Sequence, residues 1–134
     1  MAEISISINS RAVHQMLDRS PAKVNRALRG GVEDGTTYLL ALVKRYPPQR
    51  SGSTYRRTNT LMRSWSRVIS GSGVTIRGVV GSSGNMAPYN RYVMSRVDQA
   101  SVHRGRWATI EDIVERSEAT IQRMFDARLQ AEVR

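Results

Sequence analysis

The sequence contains no cysteine and only two histidines in 134 residues. Without thiols it can form neither a disulfide nor a thiolate metal site, so stability has to come from packing or assembly. Aromatic residues make up only 6% of the chain and hydrophobic residues 40%. Those values suit one modest α+β core spanning residues 1–134, with partner subunits supplying further burial. No run approaches the roughly 20 apolar residues a membrane helix needs, so no membrane role is expected. The N-terminal Met-Ala-Glu-Ile-Ser-Ile lacks the basic-then-apolar layout of a signal peptide. Synthesis and use in the cytoplasm are therefore expected.

Acid is missing from the middle of the chain. Between Gly35 and Val97 there is no Asp or Glu, whereas Lys44, Arg45, Arg50, Arg56, Arg57, Arg63, Arg67, Arg77, Arg91 and Arg96 all fall there. These ten cations account for the whole net charge of +10, because the remaining 11 basic and 11 acidic residues cancel. A basic surface confined to one part of a chain implies an anionic partner, either nucleic acid or the acidic face of another protein. All but Lys44 are arginine, whose planar fork pairs with carboxylate or phosphate through two bonds.

Glu3 to Ile8 alternates, with Ile4, Ile6 and Ile8 on one face, and predicts a half-buried strand. Asn9 or Ser10 then caps a short helix to about Arg19, with Val13, Met16 and Leu17 as its apolar stripe and His14 beside it. Ser20-Pro21 restarts a helix that is expected to run to about Tyr46, with Val24, Leu28, Val32, Leu39, Leu40 and Val43 facing inward. Gly30, Gly31 and Gly35 lie inside it. Each costs about 1 kcal/mol against Ala, so they predict close packing by another backbone, with a kink as the alternative. Pro47-Pro48 ends the helix.

An extended basic loop over 47–60 follows. Leu61 to Ile69 reads as a strand or a short helical turn, and Gly71-Ser72-Gly73 as a hairpin turn. Beyond it Val74, Ile76, Gly78 and Val80 share one face and Thr75, Arg77 and Val79 the other. Gly81 to Asn85 reads as a second loop, which lacks the Gly-Lys-Ser/Thr ending of a phosphate-binding loop. Ala87 to Val93 is an edge strand or short helix, and Asp98 to Trp107 a polar connector. Thr109 with Asp112 forms a capping box for the last helix. There Ile110, Ile113, Val114, Ile121, Met124, Phe125 and Leu129 recur at helical spacing to about Ala131.

Chemistry-bearing residues are scarce. The sole candidate cluster for bond chemistry is His103 with Asp98, Arg104 and Arg106, and a structural role for His103 against Trp107 is preferred to catalysis. No catalytic, cofactor-binding or metal-ligating residue is assigned, and no cofactor is expected. Nucleic-acid recognition has the right charge but lacks zinc spacing, an aromatic strand motif or a helix-turn-helix. A basic, non-specific nucleic-acid-binding protein remains the alternative reading.

Several motifs in order carry a resemblance. Tyr46-Pro47-Pro48, Gly52-Ser53-Thr54-Tyr55-Arg56-Arg57-Thr58-Asn59-Thr60-Leu61 and Ser64-Trp65 are similar to the signature of the tail-component family of lambdoid tailed phages. The family includes tail-completion and head-tail joining proteins. Ala87-Pro88-Tyr89 with Tyr92-Val93 is similar to a Tyr-Ala-x-x-Val-Glu element of that family. Gln99-Ala100 with His103-Arg104-Gly105-Arg106-Trp107 resembles a block shared by a subgroup. Asn59 stands where the family usually has Gly, Met94 where it often has Glu, and the Gly-Thr that commonly follows is missing.

The resemblance implies a small curved antiparallel sheet packed by a long helix, with a C-terminal helix. It also implies assembly as a ring at the head-tail junction, with no catalysis. The expected location is the virion, after synthesis in the host cytoplasm. The expected partners are further copies of the chain, in a ring of six or twelve with six preferred, and neighbouring connector and tail proteins, with passing contact to DNA. Interface residues expected on this reading are Arg50, Tyr55, Arg56, Arg57, Arg63, Trp65, Tyr89, His103, Arg104 and Arg106. Glu111, Asp112, Glu115 and Glu118 are expected to meet arginines of the next subunit.

Overall fold

The computed structural model describes residues 3–6, 19–48, 52, 59–71 and 75–133. The elements are β1 (Glu3–Ile6), α1 (Pro21–Val43), α2 (Thr60–Ser64), β2 (Trp65–Ser70), β3 (Arg77–Ser82), α3 (Arg91–Met94) and α4 (Ile110–Val133). Single 3-10 turns at Pro88–Asn90 and Ser101–His103 lead into α3 and out of the stretch that follows it. The fold is α+β: a three-stranded antiparallel sheet of order β1-β3-β2 with two long helices. The short helix expected over 10–19, with His14 on it, lies outside the described residues apart from Arg19.

Alternation decides which side of the sheet is buried. Val80 lies opposite both Ile4 and Arg67, and Gly78 opposite both Ile6 and Ile69. Ile4, Ile6, Trp65, Gly78, Val80 and Ser82 are buried beneath the sheet, while Val68 and its cross-strand partner Val79 lie on the other face. Arg67 shares the inner register, yet its long stem carries the head past the edge of α1. There Nη1 donates to the Glu33 carbonyl at 3.0 Å and to Thr37 Oγ1 at 2.7 Å.

The glycines of α1 mark where other elements come close. A side chain at Gly31 would overlap the Phe125 ring, and one at Gly35 would sit 2.8 Å from Ile6 Cδ1. At Gly78 it would lie 2.6 Å from Val32 Cγ1. So α1 is held between the sheet and α4, and the two long helices run antiparallel, Arg26 meeting Glu132 and Asp34 meeting Arg128. These glycines are closely packed, but by side chains of Arg128, Phe125, Ile6 and Ile121 rather than by another backbone, and α1 continues unbroken through them. The inward set expected for α1 is buried, with Leu40 only partly covered. Val114 on α4, expected to be apolar core, is 40% exposed.

Four boundaries differ from the sequence reading. α1 ends at Val43 rather than Tyr46. The ring of Pro47 clashes with the carbonyl four residues earlier and offers it no N–H, and that carbonyl belongs to Val43. Leu61 to Ile69 is neither wholly strand nor wholly helix, because α2 runs directly into β2 at Trp65. Gly81 and Ser82, read as loop, pair with Ser66 and Trp65 and extend β3. Ala87 to Val93, where an edge strand was one option, is helical from Pro88 onward. Asn59, which opens α2, has φ of 59°. That is the left-handed region, where Gly is best suited and Asn is the commonest other residue.

Candidate functional site

The polar connector is tied down at three levels. Gln99 is buried, and its Nε2 donates to the Val93 carbonyl at 2.7 Å and to the Trp107 carbonyl at 3.1 Å. The Ala100 N–H donates to the Tyr92 carbonyl at 2.8 Å. The connector then folds back, as the Arg106 and Trp107 N–H groups both donate to the His103 carbonyl.

This positions Trp107 against the residues that end α1. The rings of Tyr46 and Trp107 lie 4.7 Å apart at 49°, and His103 meets Trp107 edge-on at 5.9 Å. Arg106 Nη2 donates to the Pro48 carbonyl at 2.7 Å. Two basic stretches far apart in sequence therefore share one surface: Lys44 and Arg45 at the end of α1, and Arg104 and Arg106 in the connector. None of these four forms an ion pair with a described acid.

Six of the described acids form ion pairs elsewhere. Arg96 Nη2 reaches Asp112 Oδ1 at 2.8 Å and Glu115 Oε1 at 3.2 Å, and the Arg96 N–H donates to Glu111 Oε2 at 3.1 Å. Arg128 grips Asp34 through two bonds of 2.7 and 2.9 Å. Glu3, Glu33 and Glu132 pair with Arg77, Arg29 and Arg26. Hydrogen bonding to these carboxylates raises the pKa of Arg96 and of Arg128. The Thr109 backbone N–H first, and Arg96 after it, hold Asp112 below the ordinary carboxylate value. Three of the four acids expected to meet the next subunit, Glu111, Asp112 and Glu115, are thus occupied by Arg96 of the same chain. Only Glu118 carries no such bond.

The expected interface residues divide. Arg50, Tyr55, Arg56 and Arg57 lie outside the described residues. Arg63 is exposed in the last turn of α2, and Tyr89 is 43% exposed in the first 3-10 turn. His103 lies edge-on against Trp107, and Arg104 and Arg106 flank that contact in the same connector. Trp65 is a correction: it is 3% exposed, packed in the core at the α2–β2 junction, and offers no contact surface. An aromatic residue amid arginines reads as surface, but period two from Trp65 through Arg67 to Ile69 carried the inward signal. Asp98 lines a separate cavity with Glu3, Asn90 and Glu111, whereas the ring of His103 lies against Trp107.

Sequence reasoning passed over an apolar surface. Of the seven large hydrophobic residues that are exposed among the described residues, five (Met86, Tyr89, Tyr92, Val97 and Val102) come from one 17-residue stretch. Val97 is 85% exposed. A sixth, Val68, projects from the open face of the sheet beside Val79 at 61%. Arg91 folds over the Tyr92 ring at 4.6 Å and donates to its hydroxyl at 2.6 Å, fixing that side chain at the surface.

Among the described residues no group of His, Asp or Glu is placed to hold a metal ion, and no helix is long and apolar enough to cross a membrane. No family model, curated protein or solved structure matches the chain.

Proposed function

We infer that this chain is a structural subunit of a tailed-phage or prophage particle, assembling as a ring at the head-tail junction and contacting connector and tail proteins. The observation that carries the reading is the concentration of exposed apolar side chains between Met86 and Val102. Such residues grouped in one stretch of a small protein mark a surface that another protein covers. It coincides with the Ala87-Pro88-Tyr89 and Tyr92-Val93 motifs on which part of the family resemblance rests.

Two further features support assembly. Among the described residues the sheet is covered on one face only, with Val68 and Val79 on the other. Among the described residues, β1 and β2 each pair on one side alone. A ring needs two different complementary surfaces on each copy, and an apolar stretch and a bare sheet face are two such surfaces. Asn59 adds local support, since the family's Gly at that position suits the same left-handed backbone.

Gel filtration with mass measurement tests the reading. The expected result is a discrete particle whose mass is a multiple of 15.0 kDa. Val97→Asp with Tyr89→Asp is expected to reduce it to the single chain while leaving the circular dichroism unchanged. A wild-type protein that stays monomeric at micromolar concentration overturns the reading.

A further inference from the structure

We propose that the surface formed by Lys44, Arg45, Arg104 and Arg106 is a binding site for the phosphate backbone of duplex DNA. The proposal goes beyond the ring reading and stands without it.

The first argument is the distribution of ion pairs. Six of the described acids pair with Arg26, Arg29, Arg77, Arg96 and Arg128, cations that lie elsewhere on the molecule, while Asp98, Glu118 and Asp126 form no ion pair with a described cation. The four cations of this surface receive none. No described acid of the same chain neutralises this charge, which leaves it available to an anionic partner.

The second argument is the nature of the surface. Protein–protein contacts have an apolar centre depleted of charge, whereas DNA-binding surfaces are strongly positive and need no such centre. Five of the exposed apolar residues among those described lie between Met86 and Val102, and of these Val102 is the nearest in sequence to Arg104 and Arg106. The aromatic rings beneath it, Tyr46 and Trp107, are partly buried against each other and the core. They support the backbone beneath the cations and do not stand out as a platform for unstacked bases, which favours duplex phosphates over single strands.

The third argument is rigidity. The bond from Arg106 to Pro48 joins segments 58 residues apart, and Gln99 clamps the connector from inside. Lys44, Arg45 and Arg104 are thereby held on a fixed frame, so fewer side-chain degrees of freedom are lost on binding.

Because any chain with a net charge of +10 has some affinity for DNA, the test compares location at constant charge. Binding of a short random-sequence duplex is followed by fluorescence anisotropy over a range of salt. The variant K44Q/R45Q/R104Q is compared with K23Q/R116Q/R123Q, which removes three exposed charges outside this surface and outside every described ion pair. Each protein's mass is measured alongside, which separates failure here from failure of the ring reading.

The expected result is a log K against log salt slope shallower by about 3 in the first variant only, with affinity at low salt weakened by about tenfold or more. Equal losses in the two variants overturn the proposal, as does the absence of wild-type binding. Polyglutamate competing as well as unlabelled duplex, at equal charge, also overturns it and assigns the surface to an acidic protein. If the first variant is unfolded by circular dichroism, the single variants R45Q and R104Q are read in its place, each expected to lower the slope by about 1.

Discussion

Single residues decide how closely the layers approach. Ala is favoured over Gly in a helix by about 1 kcal/mol, so Gly31→Ala would stabilise α1 in isolation. In the folded protein its methyl meets the Phe125 ring, whose Cγ lies 2.9 Å from the Cβ position. Overpacking costs about 1–3 kcal/mol, so the variant is expected to be less stable by up to about 2 kcal/mol in urea unfolding. Gly84→Ala, which meets nothing within 4 Å, serves as the neutral comparison. Trp65→Ala removes a core side chain and is expected to cost about 3–5 kcal/mol, measurable as a fall in the thermal midpoint. A ring contact with no core role would lower assembly and leave unfolding of the single chain unchanged.

Thr109 was readable from the sequence because a cap is local: hydroxyl and carboxylate three residues apart find each other's backbone N–H whatever the rest of the chain does. The Asp112 N–H donates to Thr109 Oγ1 at 3.1 Å, and the Thr109 N–H to Asp112 Oδ2 at 3.2 Å. Thr109→Ala is expected to cost about 1 kcal/mol. The pKa of Asp112 is lowered by folding, so the unfolded chain takes up its proton first as pH falls. Its contribution is complete above the ordinary carboxylate range and is lost as acid is added below about pH 4. In Asp112→Asn that part of the acid sensitivity is expected to be absent from a titration of the thermal midpoint.

At the scale of elements, α1 supports both the sheet and α4. Its apolar positions follow helical spacing, so the buried face from Val24 to Val43 could be read off the chain. Its partners could not. Phe125 and Ile6 reach the glycines of α1 from opposite ends of the sequence, and nothing local encodes that meeting. The strands show the same division. Alternation places Val80 inward and Val68 outward, but the register, which carries β3 on to Ser82, depends on where β2 begins after α2. Val68→Asp is expected to change the stability of the single chain by no more than about 0.5 kcal/mol, because the side chain is exposed. If the open face of the sheet is covered in the particle, the same substitution abolishes assembly, read by gel filtration. Unchanged assembly would remove that face from the ring contacts.

For the whole molecule the decisive quantity is charge. The acid-free segment from Gly35 to Val97 holds the net charge of the chain, and that much is arithmetic on the sequence. Arg96 shows why arithmetic stops there. It belongs to the basic segment, yet it lies on Asp112 and Glu115 of α4 and is neutralised within the chain. Arg104 and Arg106 belong to the mixed C-terminal part, yet they join Lys44 and Arg45 as surplus cations. Composition, helical and strand periods and the cap were settled by the sequence, because each depends on residues within about one or two turns of one another. Which cations stay unpaired, which aromatic residue is core and which apolar residues stay bare were decided by tertiary structure alone. Ion pairing and burial fall off within a few ångströms, and distances of that size between remote residues exist only once α1, α4 and the sheet have packed.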